Sequence, residues 1–350
     1  MLEFSKSDLD EAVARAEDSL RSLEGARILV TGGTGFLGRW ICATLAHAND
    51  RLGLDVEAWV VTRSPQAAFE TYPGLWDRHG LHLWQGDVRT FADPDGAFSH
   101  VVHGAAETSQ WTDVRASLEG ADAIVSGTRR VLEFAETKGC SRLLFLSSGA
   151  VYGTQPVSIR AMGEDYALAP LTRDRKTGYA HAKRLAEWMC VAQAGGSAME
   201  SVIARCYAFL GPGLPLNGTF AAGNFIRDSV GGDPIVIKGT GRDVRTYLYA
   251  GDLAVWVWTM LVRGNSGEAY NVGSDEEVTI GELANVVAKR SQPPVPVQVL
   301  GADAPGVSSR YVPSITKARE LGLEVYTPLN RAVDQTWRWC RAQGVSAAYR

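Results

Sequence analysis

Residues 26–38 read ARILVTGGTGFLG and are the most informative part of the chain about its fold. An apolar strand runs directly into a glycine-rich turn, and the residues after the turn begin a helix. The glycines follow the pattern G-x-x-G-x-x-G, which permits a tight turn and lets helix N–H groups face a pyrophosphate. The alternative is a tight strand-to-helix turn that binds no cofactor. The pattern predicts pyrophosphate contacts at Gly32, Gly35, Phe36, Leu37 and Gly38.

The alternation of strand and helix continues to about Phe209. Nearly continuous apolar strands that alternate with helices are typical of a parallel sheet covered on both faces. The sequence therefore predicts an α/β fold, a Rossmann-type doubly wound parallel sheet with a smaller C-terminal substrate-binding lobe. The expected units are an N-terminal helical arm (1–25, helical over 3–23), a dinucleotide-binding domain (26–208, with 243–273 partly returning to it) and a substrate-binding lobe (209–242 and 274–350).

Composition excludes several classes of protein. Of the 350 residues, 45% are hydrophobic and 21% are charged, which favours a folded core over disorder. With a net charge of −4, the chain lacks the excess of basic residues that is typical of a nucleic-acid-binding protein. The five cysteines are scattered without a C-x-x-C pair, so neither a disulfide framework nor a metal site is expected. The longest strongly apolar run, 253–262, is too short for a membrane span of about 20 residues, and acidic residues near the N-terminus exclude a signal peptide. We expect a soluble cytoplasmic protein that contacts neither nucleic acid nor membrane.

The end of the second strand bears on the choice of cofactor. Dinucleotide sites that take NAD usually place an acid there, which accepts a hydrogen bond from the ribose 2′-hydroxyl. This chain reads VVTRS over residues 60–64 and has no acid at that point. Arg63 and Ser64 suit a 2′-phosphate instead, so NADP(H) is favoured and NAD(H) is the alternative. A solvated arginine at a strand end would give the same sequence.

A carboxylate follows the third strand, in the sequence QGDV (85–88). At the carboxyl edge of the sheet, Asp87 is placed to accept a hydrogen bond from the adenine amino group of a cofactor. The adjacent Val88 is predicted to line the same part of the site. The alternative for Asp87 is the N-cap of a helix.

Tyr179 and Lys183 lie four residues apart in GYAHAK (178–183), on one face of a predicted helix. A lysine ammonium beside a phenol stabilises the phenolate and lowers its pKa toward the working pH. Such a pair is often exposed on the surface and has no functional role. Here, however, the preceding strand ends in FLSS (145–148), which places hydroxyls at the edge where doubly wound sheets bind ligands. We predict that Ser148 holds a substrate hydroxyl while Tyr179 exchanges its proton. His181 lies on another face of the helix and is expected to have no catalytic role.

Several motifs together resemble the extended short-chain dehydrogenase/reductase family, the NAD(P)-dependent nucleotide-sugar epimerases and dehydratases, over about residues 26–342. They are TGGTGFLG (31–38), GDV (86–88), HGAAET (103–108), SSGAVYG (147–153), Tyr179-x-x-x-Lys183 and GRDVRTYLYAGDLA (241–254). The resemblance implies hydride transfer at a sugar carbon, usually C4, with Ser148, Tyr179 and Lys183 as the catalytic triad. It also implies that Tyr179 and Lys183, together with Ala105 and Ala106, contact the cofactor.

The resemblance further implies a nucleoside diphosphate sugar as substrate, held in the C-terminal lobe, and a homodimer formed through helices that flank the sheet. Arg245 stands where such enzymes place an arginine against the substrate pyrophosphate, and Arg310 looks like a second phosphate contact. Asn224 resembles an asparagine of the substrate lobe, and Thr108 is placed to touch the sugar. The alternative for these residues is an ordinary surface or capping role.

The chain departs from the family pattern at two places. Dehydratases and decarboxylases of the family carry acids between the catalytic hydroxyl and the next tyrosine, where this chain has Gly149 and Ala150. Neither residue can move a proton, so a 4,6-dehydratase mechanism is disfavoured unless Glu107 or another acid substitutes. The asparagine that usually follows the sixth strand is Ala208 here, which leaves the contacts on that side open.

The leading hypothesis is a nucleotide-sugar 4-epimerase that oxidises C4 transiently and retains its nicotinamide cofactor. The alternative is an NADPH-dependent nucleotide-sugar 4-ketoreductase, in which the cofactor is consumed. A 4,6-dehydratase and a Rossmann-type sensor without chemistry are further alternatives. A sensor has no need for a serine, a tyrosine and a lysine in this arrangement.

Overall fold

The molecule is built around a parallel sheet, and the computed structural model describes residues 4–106, 113–218, 220–301 and 308–344. In chain order the strands are β1 (Arg27–Thr31), β2 (Glu57–Thr62), β3 (Leu81–Gln85), β4 (His100–His103), β5 (Arg142–Ser148), β6 (Glu200–Cys206), β7 (Phe209–Leu210), β8 (Ile235–Ile237), β9 (Val244–Arg245), β10 (Leu248–Tyr249), β11 (Ala269–Val272), β12 (Val278–Thr279), β13 (Val297–Val299) and β14 (Arg310–Tyr311). The helices are α1 (Lys6–Arg21), α2 (Phe36–Leu52), α3 (Pro65–Thr71), α4 (Pro73–Trp76), α5 (Val114–Thr137), α6 (Gly178–Gly196), α7 (Ala221–Gly231), α8 (Ala250–Arg263), α9 (Ile280–Ala288), α10 (Thr316–Glu320) and α11 (Leu329–Ala342). Short 3-10 helices span Gly149–Tyr152 and Arg175–Thr177.

The central sheet has seven strands in the spatial order β11-β6-β5-β4-β1-β2-β3. Every neighbouring pair in it is parallel. The strand order reverses between β1 and β4, and the crevice at such a reversal is where doubly wound sheets bind ligands. The predicted Rossmann-type sheet is confirmed.

Helices cover both faces of the sheet, because alternate residues of each strand point to opposite sides. On β1, Ile28 and Val30 are buried in one apolar cluster together with α1, α2 and α8. Leu29, between them, is buried in a second cluster with α5 and α6. Burial on both sides explains why these strands read as nearly continuous apolar runs in the sequence.

The N-terminal arm is a helix that packs onto the outside of this layer. α1 lies against α2 and α8, and its apolar positions Leu9, Val13, Ala16 and Leu20 are buried there. The apolar run 253–262 falls in α8, which is buried between α1, α2 and the sheet. Among the described residues, no helix combines the length and apolar character required to cross a membrane.

Apart from β11, the strands described after β6 form small sheets of their own. β12, β9 and β14 make a three-stranded sheet, β8 pairs with β13, and β7 pairs with β10. α7, α9 and α11 pack against one another beside these strands. β11 leaves this region and completes the edge of the central sheet next to β6. The assignment of 209–242 and 274–350 to a separate substrate-binding lobe stays a prediction.

Candidate active site

The glycine-rich turn forms a backbone cradle at the start of α2. Gly32 has a φ of +73°, and a Cβ there would lie 2.6 Å from the carbonyl carbon of Gly104, so a side chain has no room where this turn passes the end of β4. Gly35 immediately precedes α2, and residues 36–38 supply its first N–H groups. Backbone N–H groups at a helix N-terminus, reached through a turn without side chains, fit the pyrophosphate of a dinucleotide.

His103, the last residue of β4, joins this strand to β1 and α5. Its Nδ1 lies 2.6 Å from the Oγ1 of Thr31, and its Nε2 lies 2.9 Å from the Oγ1 of Thr128. Burial lowers the pKa of His103 to about 3, so the imidazole is neutral. The N–H of Ala105 donates a hydrogen bond to Thr31 Oγ1 at 3.1 Å. This bond holds Ala105, a predicted cofactor residue, beside the glycine-rich turn. His103 was not among the predicted site residues, although a histidine that ends an apolar strand is a signal visible in the sequence.

Arg63 and Ser64 are exposed after β2, at the end of the crevice predicted to hold the adenosine. Asp87, after β3, accepts hydrogen bonds from the backbone N–H of Arg89 at 2.9 Å and from its guanidinium at 2.8 and 3.0 Å. The contacts from Arg89, together with the nearby charge of Arg63, lower the pKa of Asp87. Asp87 therefore stabilises a turn. An adenine amino group bound as predicted would donate to the same carboxylate as Arg89. Val88 packs against α5.

The structure brings Ser148 and Tyr179 together at the carboxyl end of β5. Ser148 is the last residue of that strand, and its Oγ accepts a hydrogen bond from the N–H of Ala150 at 3.2 Å. Tyr179 lies in the first turn of α6, near enough to Ser148 for a hydrogen bond with that hydroxyl to act on the pKa of its phenol. A hydroxyl and a phenol in contact are suited to hold one substrate oxygen and to exchange a proton with it.

Lys183 lies one turn further along α6 and is only 1% exposed. Its Nζ donates to the carbonyl oxygen of Leu146 at 2.7 Å and lies 4.5 Å from the centre of the Phe145 ring. Burial lowers the pKa of the lysine to about 8. Burial also raises the pKa of Tyr179 to about 12, outweighing the hydrogen bond from Ser148, which lowers it. Burial therefore dominates the pKa of this phenol while the ammonium is bonded to Leu146, and the lowering of the pKa by Lys183 stays a prediction.

Two tyrosines that were not among the predicted site residues lie beside Ser148. A Cβ at Gly149 would lie 2.7 Å from the Oη of Tyr311 and 2.7 Å from ring atoms of Tyr207. The centroids of the two rings are 4.4 Å apart, and a hydrogen bond with Ser148 lowers the pKa of the Tyr311 phenol against the effect of burial. The rings fill the space at Gly149, so a side chain at this position would displace them. The local sequence gives no signal for this contact, since it depends on how β14 packs against the end of β5.

A buried ion pair supports the end of β5 on the side of α6. Glu187, one turn after Lys183, accepts a hydrogen bond from the Ser147 hydroxyl at 2.5 Å and one from the Arg205 guanidinium at 2.8 Å. Arg205 also donates to the Oη of Tyr152 at 2.8 Å. The Glu187 carboxylate raises the pKa of Lys183 and so opposes part of the effect of burial. Glu187 was not among the predicted site residues. The sequence does place it four residues after Lys183, on the same helix face, and this spacing could have identified it.

Arg245, predicted to bind a substrate phosphate, lies close to the reaction centre. β14 runs parallel to β9, with Tyr311 opposite Arg245. The Arg245 guanidinium donates to the carbonyl oxygen of Ser309 at 3.2 Å and to its Oγ at 2.9 Å. Burial raises the pKa of Tyr311, and the charge of Arg245 lowers it, so the guanidinium is near enough to influence this phenol. Contact between Arg245 and a phosphate stays a prediction.

Arg310 does not reach this site. Its guanidinium lies 2.7 Å from the carboxylate of Glu277 and donates to the carbonyl oxygen of Arg160 at 3.1 Å. Neighbouring residues of a strand face opposite sides, and Tyr311 faces Ser148, so Arg310 faces away from it. Arg310 therefore ties β14 to Glu277 and to the Arg160 backbone, and its contact with a substrate phosphate stays a prediction.

Asn224, the predicted substrate residue on α7, orders the loop that precedes its helix. Its Nδ2 donates to the carbonyl oxygen of Gly218 at 3.0 Å, and its Oδ1 accepts from Arg227 at 3.1 Å. These contacts give Asn224 a structural role, and a substrate contact stays a prediction. Thr108, predicted to touch the sugar, and Glu107 lie outside the described residues.

Residues 28–273 match the model of the NAD dependent epimerase/dehydratase family. The chain belongs to this family. UDP-glucuronic acid decarboxylase 1 of Danio rerio is 28% identical to it, over 94% of this chain and 80% of the relative. The structure of epimerase Mth375 of Methanothermobacter thermautotrophicus is similar with a TM-score of 0.80 and 22% identity, over 96% of this chain and 98% of that one. The UDP-glucose 4-epimerase of Thermus thermophilus, in complex with NAD, has a TM-score of 0.73 and 25% identity, over 90% of this chain and 99% of that one.

Proposed function

We propose that the protein is a nucleotide-sugar 4-epimerase, which oxidises C4 of the sugar transiently and retains its nicotinamide cofactor. Its membership of the family and the contact between Ser148 and Tyr179 support this proposal. Two of its relatives, a UDP-glucuronic acid decarboxylase and a UDP-glucose 4-epimerase, are both named for UDP-sugars. They agree on the class of substrate and differ in the reaction, so the reaction has to be argued from the site.

The position next to the catalytic hydroxyl is the observation that carries the proposal. The family resemblance implies that dehydratases and decarboxylases have acids in this segment, whereas this chain has Gly149 and Ala150. The rings of Tyr207 and Tyr311 occupy the volume that a side chain at Gly149 would need. Elimination and decarboxylation thereby lose a proton carrier, whereas epimerisation needs one group that takes a proton and later returns it.

The reaction follows from the positions of three side chains. Tyr179 takes the proton of the sugar 4-hydroxyl while Ser148 donates a hydrogen bond to the same oxygen. The nicotinamide cofactor, when bound, supplies reversible hydride exchange at C4. The C4 ketone turns within the site to present its other face, and Tyr179 then returns the proton to the oxygen. Because burial raises the pKa of Tyr179, a positive charge must stabilise the phenolate, and we assign this role to Lys183.

The residues that would hold the cofactor and the substrate are separate. Residues 32–38 would bind the cofactor pyrophosphate, and Arg245 the diphosphate of the substrate. We propose NADP(H) as the favoured cofactor, because the exposed Arg63 and Ser64 follow β2 where no acid is present to receive a ribose 2′-hydroxyl. Calorimetric titration with NADP⁺ and with NAD⁺ tests this preference. Equal affinity, or tighter binding of NAD⁺, contradicts it.

An NADPH-dependent nucleotide-sugar 4-ketoreductase is the second candidate, and Arg63 is the residue that favours it. In that reaction Tyr179 donates its proton to the C4 oxygen, and each turnover consumes one NADPH. The same residues would serve both reactions, so the two candidates differ in whether the cofactor is used up.

Turnover of a panel of nucleotide sugars distinguishes these functions. With a catalytic amount of cofactor, a 4-epimerase converts either C4 epimer to the same equilibrium mixture, which proton NMR detects, and no net oxidation of NADPH follows. Stoichiometric loss of NADPH establishes the reductase, and deuterium from heavy water at C5 or C6 establishes a dehydratase. Tyr179→Phe should reduce turnover by about 100-fold or more while cofactor binding persists. Turnover retained by this variant contradicts the role of Tyr179.

A further inference from the structure

Tyr311 comes from the C-terminal part of the chain and yet stands at the catalytic hydroxyl. Its Oη lies 2.7 Å from the point where a Cβ on Gly149, the residue after Ser148, would be. Burial raises the pKa of this phenol, and a hydrogen bond with the Ser148 hydroxyl lowers it. Ser148 lowers the pKa of Tyr179 in the same way, and the charge of Tyr179 when ionised raises the pKa of Tyr311. The three hydroxyls therefore form one group, here called the hydroxyl row, in which Ser148 influences both phenols.

The Tyr311 ring is held in place from both sides. Its ring and that of Tyr207 are inclined by 35° with centroids 4.4 Å apart. The backbone of Val312, next in sequence, accepts from the N–H of Met162 at 2.8 Å and donates to the side-chain oxygen of Gln155 at 2.9 Å. A ring fixed by stacking and by its own strand presents its hydroxyl in one direction.

The hydrogen-bonding capacity of Ser148 decides what this row of hydroxyls does. A serine hydroxyl has one proton to donate and two lone pairs that accept. The N–H of Ala150 uses one lone pair, at 3.2 Å. When Tyr311 donates to the other, the single Ser148 proton points to Tyr179 and to the oxygen that Tyr179 serves. We propose that Tyr311 is a positioning residue of the reaction, whose phenol donates to Ser148 and so directs the Ser148 proton toward the reacting oxygen.

This role deepens the proposed function and rests on it. Tyr311 is paired across two strands with Arg245, the residue that we assign to the substrate diphosphate. A substrate that engages Arg245 therefore acts on the strand pair that carries Tyr311. Binding of the substrate diphosphate at Arg245 is connected in this way to the Tyr311 hydroxyl, which orients Ser148. Binding energy from the diphosphate can therefore favour the proton transfer at the sugar.

Tyr311→Phe tests the positioning role, since it keeps the ring and its stacking and removes only the donor. We expect kcat to fall by about 10-fold, the size of one hydrogen bond, with KM nearly unchanged. We also expect the limb of the kcat–pH profile that belongs to Tyr179 to move to higher pH by about half a unit to one unit, because Ser148 stabilises the phenolate less well. Tyr326→Phe is the matched control, because its hydroxyl donates to the Gly322 carbonyl oxygen at 3.3 Å outside the site.

An unchanged kcat and pH profile in Tyr311→Phe would overturn the positioning role. A higher KM at unchanged kcat would also overturn it and would assign Tyr311 to substrate binding. If the wild-type protein converts no nucleotide sugar, the proposed function fails, and NMR of protein labelled with ζ-¹³C tyrosine still tests the hydroxyl row. The Tyr179 resonance, assigned from Tyr179→Phe, should shift in Tyr311→Phe and not in Tyr326→Phe. A resonance that stays in place in both variants contradicts the contact.

Discussion

At the scale of single residues, Gly149 is where the tyrosine pair can be tested most directly. A methyl group added there would lie 2.7 Å from both Tyr207 and Tyr311. Overpacking of this kind costs about 1–3 kcal/mol, so Gly149→Ala should lower the free energy of unfolding by that amount, measured by chemical denaturation. Turnover should fall as well, because the displaced Tyr311 no longer positions Ser148. Gly163→Ala is the control, since no atom lies within 4 Å of a Cβ there.

The clash at Gly149 also predicts that two substitutions are not additive. In a Tyr311→Ala background, the methyl group of Gly149→Ala meets one ring instead of two. The destabilisation caused by Gly149→Ala should therefore be smaller in that background than in the wild type. An equal cost in both backgrounds would show that Tyr311 does not fill the space beside Ser148.

Glu187 predicts the direction of a pH effect. The ammonium of Lys183 stabilises the Tyr179 phenolate only while it is protonated, so activity should fall as the pH rises through the lysine pKa of about 8. The Glu187 carboxylate raises this pKa, and removing its charge lowers it. Glu187→Gln should therefore move the alkaline limb of the kcat–pH profile to lower pH.

The same substitution should weaken the fold, because it leaves the partly buried Arg205 without its carboxylate, at a cost of about 3 kcal/mol. Glu133→Gln, at an exposed position of α5, should change neither the alkaline limb nor the stability. An alkaline limb that does not move in Glu187→Gln contradicts the coupling between Glu187 and Lys183.

Residues of the site could be predicted where the signal was local. Ser148 ends an apolar strand, and Tyr179 precedes Lys183 by four residues, so a short stretch of sequence predicts that these side chains face the crevice. β14 has only two residues, and its neighbours Arg310 and Tyr311 point to opposite sides. Which of the two faces Ser148 depends on how β14 pairs with β9, and no periodicity in so short a strand predicts it.

At the scale of elements, α1 contributes stability without touching the site. Leu20 is fully buried on the face of α1 that packs against α2 and α8. Leu20→Ala should lower the free energy of unfolding by about 2–5 kcal/mol, because it removes buried methyl groups and leaves a cavity. Thermal or chemical denaturation measures this loss. The exposed Arg21→Ala is the control and should cost little, and a comparable loss in both variants would contradict the packing of α1.

The elements that could be predicted are those with long apolar patterns. β1, β5 and β6 are buried on both faces over most of their length and read as nearly continuous apolar runs. The helical spacing over 3–23 predicts α1, which spans Lys6–Arg21. The three-stranded sheet of β9, β12 and β14 could not be predicted in the same way. Each of these strands has two residues, and its position is set by pairing with distant segments and not by local pattern.

At the scale of the whole molecule, the surface of α5 and α6 predicts how two copies associate. The two helices pack side by side on one face of the sheet. On α6, Leu185, Trp188 and Val191 recur at helical spacing and remain exposed, Trp188 by 64% of its surface. Leu118 on α5 is exposed by 67%. Large apolar side chains of this kind mark interaction surfaces, so we propose that the protein forms a homodimer through these helices.

Trp188→Glu tests this dimer, because burying an unpaired carboxylate in an apolar interface costs more free energy than the interface gains. We expect the wild-type protein to sediment as a dimer in analytical ultracentrifugation and the variant as a monomer. Leu300→Glu removes an equally exposed apolar side chain beyond β13 and should leave the dimer intact. The monomer should also lose activity, since α6 carries both Tyr179 and Lys183 and its outer face would no longer be supported. A wild-type monomer, or a Trp188→Glu dimer, contradicts the association through α5 and α6.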